Sequence, residues 1–559
     1  MRGGCIPGLL VALTFEALAQ ERTVVPQPEP LPLPRFLPQE PRETPFQLPP
    51  LEPAPPADQQ REGAQVPVSE VLFEGNTVVA TQELQKVAAP YVGRRLYAAD
   101  IEELRRALTQ YYVDRGYVNS GALLVADTAA RQGVLSFRII EGKVSRIQIR
   151  GLERLSEGYV TGRLVPDPDE PLNLNVLRER FQLLLDDPHF ARINTRLMPG
   201  ENVGDAILDL EVVRARPYQL TVFANNYRPP SIGEIAAGLS GNVRNLTGYG
   251  DLLDFRWQQT TTTPHSVSYS LGWRLPVNRY GTAVSFRADR GQSIVVEAPL
   301  NTLRITSRIN SQDIGISHPF IETLKHKLTL GMNRVEQTVK SSLLDVPFSF
   351  TPGVPEGKTE VRLRRFWQEY AYRSATNAVV LRSTFTSASN NQDAASPSNL
   401  QAPPRYRYWL GQFQYAQRLG DTGIQAVLKG VMQRADTTLL PVDSISVGGV
   451  NTVRGYRENQ LLGDKGEVLS LQLDVPVPTG GIRFPQVVVS PFYDWGRATK
   501  VGLGSDILSS AGLALKAAWQ GARLDFVIAK RLKHAPAIDN VKGSLQDDRV
   551  HVQLAYDFF

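Results

Sequence analysis

At 559 residues, with 61 Lys and Arg against 56 Asp and Glu and a net charge of +5, the chain is too long for one ordinary soluble core. Its basic residues are interleaved with acids and form no basic block, which argues against nucleic acid as a partner. One cysteine, Cys5, leaves no disulfide framework, and six scattered histidines without ligand spacing give no metal site; neither cofactor nor metal is expected.

Residues 1–19 begin with Met1-Arg2, continue through an apolar run over 6–15 too short to span a bilayer as a helix, and end in Ala17-Leu18-Ala19. This is the pattern of a cleaved secretory signal, and it contains Cys5. Residues 20–65 read as a linker. Proline is dense over 26–56, fixing φ and removing backbone donors, so an extended, semi-rigid spacer is expected there.

Two small units follow, over 66–141 and 142–216. In the first, strand patterns at 68–75, 122–126 and 134–140 surround helical patterns at 81–92 and 99–117. The second helix, ADIEELRRALTQYYVDRGY, brings Ile101, Leu104, Leu108, Tyr111 and Tyr112 to one face. The second unit repeats the scheme, with strands at 144–151, 194–197 and 206–212 and helices at 157–164 and 175–185. A β-α-α-β-β unit occurring twice is a tandem repeat of α+β domains.

From 217 to 559 the texture changes to runs of about ten residues with period-two alternation, broken by Gly, Pro, Asn and Asp. In RVHVQLAYDFF, Val550, Val552, Leu554, Tyr556 and Phe558 oppose Arg549, His551, Gln553 and Asp557. VLSLQLDV sets Leu469, Leu471 and Leu473 against Ser470, Gln472 and Asp474. About sixteen such runs predict an all-β transmembrane barrel of antiparallel strands, apolar toward lipid and polar toward a wet lumen. Mean hydropathy, −0.21, suits this barrel as well as a soluble protein. A soluble β-protein would need a second sheet over its apolar face.

One connection, 437–467, is long, and long loops are usually functional or disordered. It carries SVGGVNTVRGYREN, with Arg454 between Val453 and the Gly455-Tyr456 pair. Further on, QVVVSPFYDWG places Ser490, Phe492 and Asp494 toward the lumen by parity. A loop folded into the barrel would deliver Arg454 to the Asp494 carboxylate, and a guanidinium forms a forked pair with such a group. A wet lumen would screen that pair.

Together VRGY, the later Phe492, Asp494 and Gly496, the two small units and the aromatic Phe559 make the chain resemble a two-partner secretion outer-membrane transporter, the type that exports filamentous haemagglutinins and haemolysins. GISHPF, RLMPGENVGDAILDLEV and RENQLLGDKGEVLSLQL carry the same resemblance. It implies that the small units are periplasmic polypeptide-transport-associated (POTRA) domains that receive a large, unfolded secreted partner. It implies also that the VRGY loop lies inside the barrel with Arg454 meeting Asp494.

On this reading the lipid bilayer and the outer-membrane assembly machinery are further partners, with Phe559 in the assembly signal. The strand of Ala122, Leu123, Leu124, Val125 and Ala126, beside the 99–117 helix, is the candidate receiving edge. Two features depart from the family pattern. The proline density over 21–62 disfavours the pore-plugging helix with which family members often begin, and Gln472 stands where the family commonly has glutamate. The alternative is a barrel-assembly factor, which usually carries more repeats. No phosphate-binding loop and no nucleophile elbow occur, so no enzyme is expected.

Overall fold

The computed structural model describes residues 31–37, 46–47, 64–125, 133–165, 167–351, 354–392, 401–478, 486–533 and 543–558. The signal segment, most of the linker, Ala126 and Phe559 lie outside them. The chain forms two compact units, Pro41–Ala215 and Met1–Glu40 with Arg216–Phe559.

In the first unit the linker contributes a short strand, β1 (Phe46–Gln47), followed by the first repeat: β2 (Val66–Val68), β3 (Glu70–Glu74), α1 (Thr81–Ala88), β4 (Arg94–Leu96), α2 (Ala98–Asp114), β5 (Gly121–Leu124) and β6 (Val134–Ile140). β3 runs parallel to β6, and β5 antiparallel to it on the other side. The spacing of apolar residues on α2 buries Ile101, Leu104, Leu108 and Tyr112 against Leu135 and Phe137, while Tyr111 is only partly covered. The backbone N–H of Tyr97 donates to the Asp100 carboxylate at 2.8 Å, satisfying an otherwise orphaned donor at the start of α2.

The second repeat is β7 (Lys143–Arg150), α3 (Glu157–Leu164), α4 (Leu174–Leu185), β8 (Phe190–Pro199) and β9 (Asp205–Arg214). β9 lies between a parallel β7 and an antiparallel β8, over a core of Val160, Leu177, Phe181, Ile193 and Leu210. β8 is longer than the 194–197 expected, because a register shift between Phe190 and Arg192 hides its start from an alternation test. The linker is also more than a spacer. β1 adds to the edge of β8 in parallel, with Phe46 opposite Thr195 and Gln47 opposite Arg196.

Alternation is realised in the second unit as a closed barrel. Sixteen antiparallel strands run from Tyr218–Asn225 to Val550–Asp557, with the two-residue Val346–Pro347 as a spur on His326–Leu343. The first and last strands pair from Thr221 with Asp557 to Asn225 with Gln553, so the wall has no open edge. Leu469, Leu471, Leu554 and Tyr556 are exposed outward, while their neighbours Ser470, Gln472 and His551 are buried inside. Short turns such as 323–325, 374–376 and 520–521 lie at the end where the chain enters at Tyr218, and the long connections at the other. At the turn end, Leu31 is buried, Leu37 N–H donates to Ser374 O at 2.9 Å, and Arg418 caps the Phe36 ring at 4.4 Å.

Candidate functional site

Between the strands Gln425–Ala435 and Lys465–Val477 runs a connection, 436–464. It ends earlier than the 437–467 expected, because Lys465, Gly466 and Glu467 already pair with the strand Gln486–Lys500. Within it, Ile445–Val447 and Leu461–Gly463 form a small antiparallel hairpin, and every residue from 452 to 464 is buried. That stretch includes Arg454, Arg457, Glu458 and Asp464, so burial is tolerable only where each polar group finds a partner.

Arg454 is enclosed on all sides. Its Nε donates to Asp494 Oδ2 at 2.7 Å and Nη2 to Oδ1 at 2.8 Å, the forked arrangement, and its backbone N–H adds a third bond to Oδ2 at 3.0 Å. Nη1 donates to Gln472 Oε1 at 2.7 Å and Nη2 also to Ser470 Oγ at 3.0 Å, while Ser470 itself donates to Asp494 at 2.7 Å. The guanidinium lies 3.5 Å from the centroid of the Phe492 ring, so the planar cation is stacked on its face. The Asp494 side chain is 0% exposed and that of Arg454 10%. The screening expected of a wet lumen is therefore missing: Phe492, the wall strands and the loop backbone exclude water from the pair.

The neighbouring positions explain the rest of both motifs. Gly455 has φ +86°, and a Cβ there would stand 2.6 Å from Ala529 Cβ. Its N–H donates to His551 Nε2 at 3.1 Å, and its carbonyl accepts from Arg531 Nε at 2.7 Å. Tyr456 is fully buried, its hydroxyl 2.9 Å from Ser509 O and 2.6 Å from Lys533 O. A Cβ on Gly496 would lie 2.6 Å from Val447 and 2.9 Å from Val453, so the glycine in the wall makes the seat for the two loop valines. Val453 and Tyr456 join Val447, Leu461, Val468 and Leu508 in one small apolar cluster.

A second ionic fastening was not foreseen from the sequence. Arg457 forms a forked pair with Asp547, at 2.6 and 2.7 Å, and donates to Glu297 at 2.9 Å. Glu458 accepts from Val450 N–H at 2.7 Å, and its own N–H donates to Gln546 at 2.8 Å. Gln472, for which no carboxylate role was transferred, serves as a neutral acceptor; it also donates to Asp474. Parity had placed Ser470, Gln472 and Asp474 inside the barrel, but nothing in the sequence tied them to the loop.

The receiving strand is shorter than expected. β5 ends at Leu124, with Val125 beyond it and Ala126 outside the described residues. Leu123 and Leu124 are exposed, but Ala122 is buried and its edge is occupied by α2: its N–H donates to Thr109 Oγ1 at 3.1 Å and its carbonyl accepts from Arg105 at 3.5 Å. A chain adding to this edge meets open backbone only from Leu124 onward.

Sequence comparison agrees with this geometry. The profile of the haemolysin secretion/activation proteins ShlB/FhaC/HecB matches residues 204–517, more than half of the chain, and that of the ShlB-type POTRA domain matches 66–142. The chain belongs to the ShlB/FhaC/HecB family. Similar curated proteins include the heme/hemopexin transporter protein HuxB of Haemophilus influenzae, 23% identical over 82% of this chain and 80% of its own length. The hemolysin transporter protein HpmB of Proteus mirabilis is 23% identical over 83% of this chain and 82% of its own. Among solved structures, CdiB from Escherichia coli covers both chains fully with a TM-score of 0.70 at 18% identity, a likeness of fold. As a member of the family this chain is an outer-membrane two-partner secretion pore, a POTRA-bearing periplasmic unit followed by a sixteen-stranded barrel.

Proposed function

We propose that the pore moves one large exoprotein across the outer membrane in extended form, and that the loop 436–464 is the removable seat that holds the lumen closed between transport events. The carrying observation is that Arg454 satisfies Asp494, Gln472 and Ser470 from two neighbouring wall strands at once. Arg454 thus ties the loop to two wall strands at once, and its loss loosens the seat without breaking a strand pairing. On this reading 66–141 and 142–216 receive the partner in the periplasm, with Leu123 and Leu124 at the receiving edge, and 217–559 conducts it. The transporter performs no chemistry on its cargo. HuxB and HpmB are named for heme/hemopexin and hemolysin transport, so the cargo class assigned to this pore is a secreted protein of that general kind.

The test is to co-express the pore with a candidate large secreted partner and follow that partner to the medium. Secretion that depends on this pore, and that stops when Arg454 is replaced while the barrel remains inserted, is the expected result. Unchanged release of the partner in a strain lacking the pore, or failure of other barrels to insert there, would defeat the assignment.

A further inference from the structure

The outer face of the barrel wall changes chemistry abruptly at one level. Met332, Phe366, Phe385 and Trp409 lie in register across four successive strands, and the first three are 40–59% exposed. They form an apolar and aromatic row facing outward, as a lipid-facing belt requires. Side chains two residues along a strand share a face, so the next rows toward the long-loop end can be read from the register. Arg364 lies opposite Ser387, and Ser387 opposite Arg407; one step further, Arg362 lies opposite Ser389, and Ser389 opposite Arg405. All six side chains are exposed.

With strands about 4.8 Å apart and about 6.8 Å between alternate residues, the four arginines stand near the corners of a rectangle of about 10 by 7 Å, with a serine hydroxyl midway along each long side. Nothing draws them into the lumen. The inward face of this stretch is already filled: Val361, Leu363, Tyr406 and Tyr408 pack beneath Leu439 and Leu440 of the long loop, and both tyrosine hydroxyls donate to the buried Asp443 carboxylate. The nearby carboxylates on the outer face already have partners: Glu336, opposite Arg362 in the register, pairs with Arg334 at 2.7 Å, and Glu360 pairs with Lys358 at 2.5 Å.

Arginine on a barrel's lipid face costs about 2–4 kcal/mol at the bilayer midplane and about 0–1 near the interface. Four arginines beginning one step beyond an aromatic row therefore sit at headgroup depth in the outer leaflet. Guanidinium forks flanked by hydroxyls match phosphate oxygens in geometry as well as in charge. We propose that this face, Arg362, Arg364, Ser387, Ser389, Arg405 and Arg407, is a binding site for the phosphorylated headgroup of an outer-leaflet glycolipid, whose acyl chains lie along Phe366, Phe385 and Trp409.

The test is native mass spectrometry of the full-length protein in neutral detergent, titrated with diphosphoryl lipid A, with dephosphorylated lipid A, and with inorganic phosphate. The wild type retains the diphosphorylated lipid and not the dephosphorylated one, and excess inorganic phosphate does not displace it. Replacing the four arginines by glutamine lowers retention by about tenfold or more. Lys530→Gln, at an exposed position beside outward-facing Ile528, leaves retention unchanged. Heat-modifiable migration reports that the variants are folded, and Arg364→Gln with Arg407→Gln gives the same reading if the quadruple variant does not insert. Equal retention by variant and wild type, retention without phosphates, or displacement by inorganic phosphate overturns the proposal. Unchanged lipid retention with reduced release of the secreted partner assigns the patch to that protein instead and likewise overturns it.

Discussion

Replacing Arg454 with alanine is the sharpest perturbation of the loop seat. Asp494 accepts four hydrogen bonds, from Arg454 N, Nε and Nη2 and from Ser470 Oγ; the substitution removes the two charged side-chain bonds and leaves a carboxylate that is 0% exposed. Gln472 Oε1 loses its donor at the same time. Breaking a buried pair from one side costs about 3–5 kcal/mol. At about 1.4 kcal/mol per factor of ten, the seated loop loses roughly a hundredfold to several-thousandfold in equilibrium against the unseated one. The wall strands keep their own pairing, so the barrel should still insert and migrate as a heat-modifiable band, while the loop becomes open to protease and secretion falls. Asp494→Ala should do the same from the other side, and the double variant should be little worse than either, because both changes remove one coupled unit. Arg454→Lys should rescue only in part, since an ammonium has neither the fork for Asp494 nor the planar face for Phe492. Partner secretion and loop proteolysis for the two singles, the double and the lysine variant settle the matter. Strictly additive defects, or wild-type secretion by Arg454→Ala, would refute the coupling.

Gly455→Ala should unseat the loop as Arg454→Ala does, because the new methyl meets Ala529 at 2.6 Å on a backbone at φ +86°; equal secretion and protease resistance would contradict this. Gly496→Val should displace Val447 and Val453 from the wall and give the same phenotype with the Arg454 pair chemically intact, as read by loop proteolysis. In the periplasmic unit, burial alone would raise the Asp187 carboxyl, but hydrogen bonds from His189 and Tyr159 more than reverse this and hold its pKa below the usual value. A group depressed in the folded state contributes stability above its unfolded pKa and loses it as pH falls through the folded one. The melting temperature of a 66–215 fragment should therefore drop on acidification below the ordinary carboxylate range, and Asp187→Asn should flatten that dependence; an unchanged slope would refute the assignment. The same fragment should bind the unfolded N-terminal part of the secreted partner, and Leu124→Pro, placed where the β5 edge is open, should weaken binding more than a change at Ala122, whose edge α2 already covers; equal effects would move the receiving site elsewhere.

Most of the architecture was legible because it depends on local periodicity. Alternation put Leu469, Leu471, Tyr493 and Leu554 outward and Ser470, Asp494 and His551 inward, and the structure keeps each on that side. The 3.6-residue pattern placed Leu104, Leu108 and Tyr112 in the core of the first repeat. Where local order is interrupted the reading fell short. The irregularity at Phe190 and Arg192 concealed the start of β8, and two residues of a proline-rich stretch found a sheet edge that no pattern within 20–65 announces. The loop shows the limit most clearly. VRGY and the later aspartate could be brought together through the family resemblance, but Arg457 meets Asp547 and Glu297 across separations of 90 and 160 residues, and only the closed barrel brings those together. Dryness was also invisible, since parity tells which way Asp494 points and not that Phe492 and the returning loop seal it from water.

That the VRGY part of the loop is fastened mainly by charge has a consequence for release. An apolar plug of equal size, once withdrawn, would expose an adhesive surface in the path of an unfolded chain, and the hydrophobic cost of leaving would grow with its area. Leu439 and Leu440 pack the start of the loop on Val361, Leu363, Tyr406 and Tyr408, but around VRGY the apolar contribution is a small cluster of Val447, Val453 and Tyr456, while Arg454, Arg457 and Glu458 carry the specific contacts. Buried ion pairs recover much of their lost hydration when they separate into water, so they define one seated geometry sharply without adding much net stability to it. A loop seated in this way is held in a single register against the wall, yet its departure leaves a hydrated arginine on the loop and a hydrated carboxylate on the wall. Neither would present an apolar surface to a passing polypeptide, and on the release proposed above their long-range attraction would guide the loop back once the lumen empties.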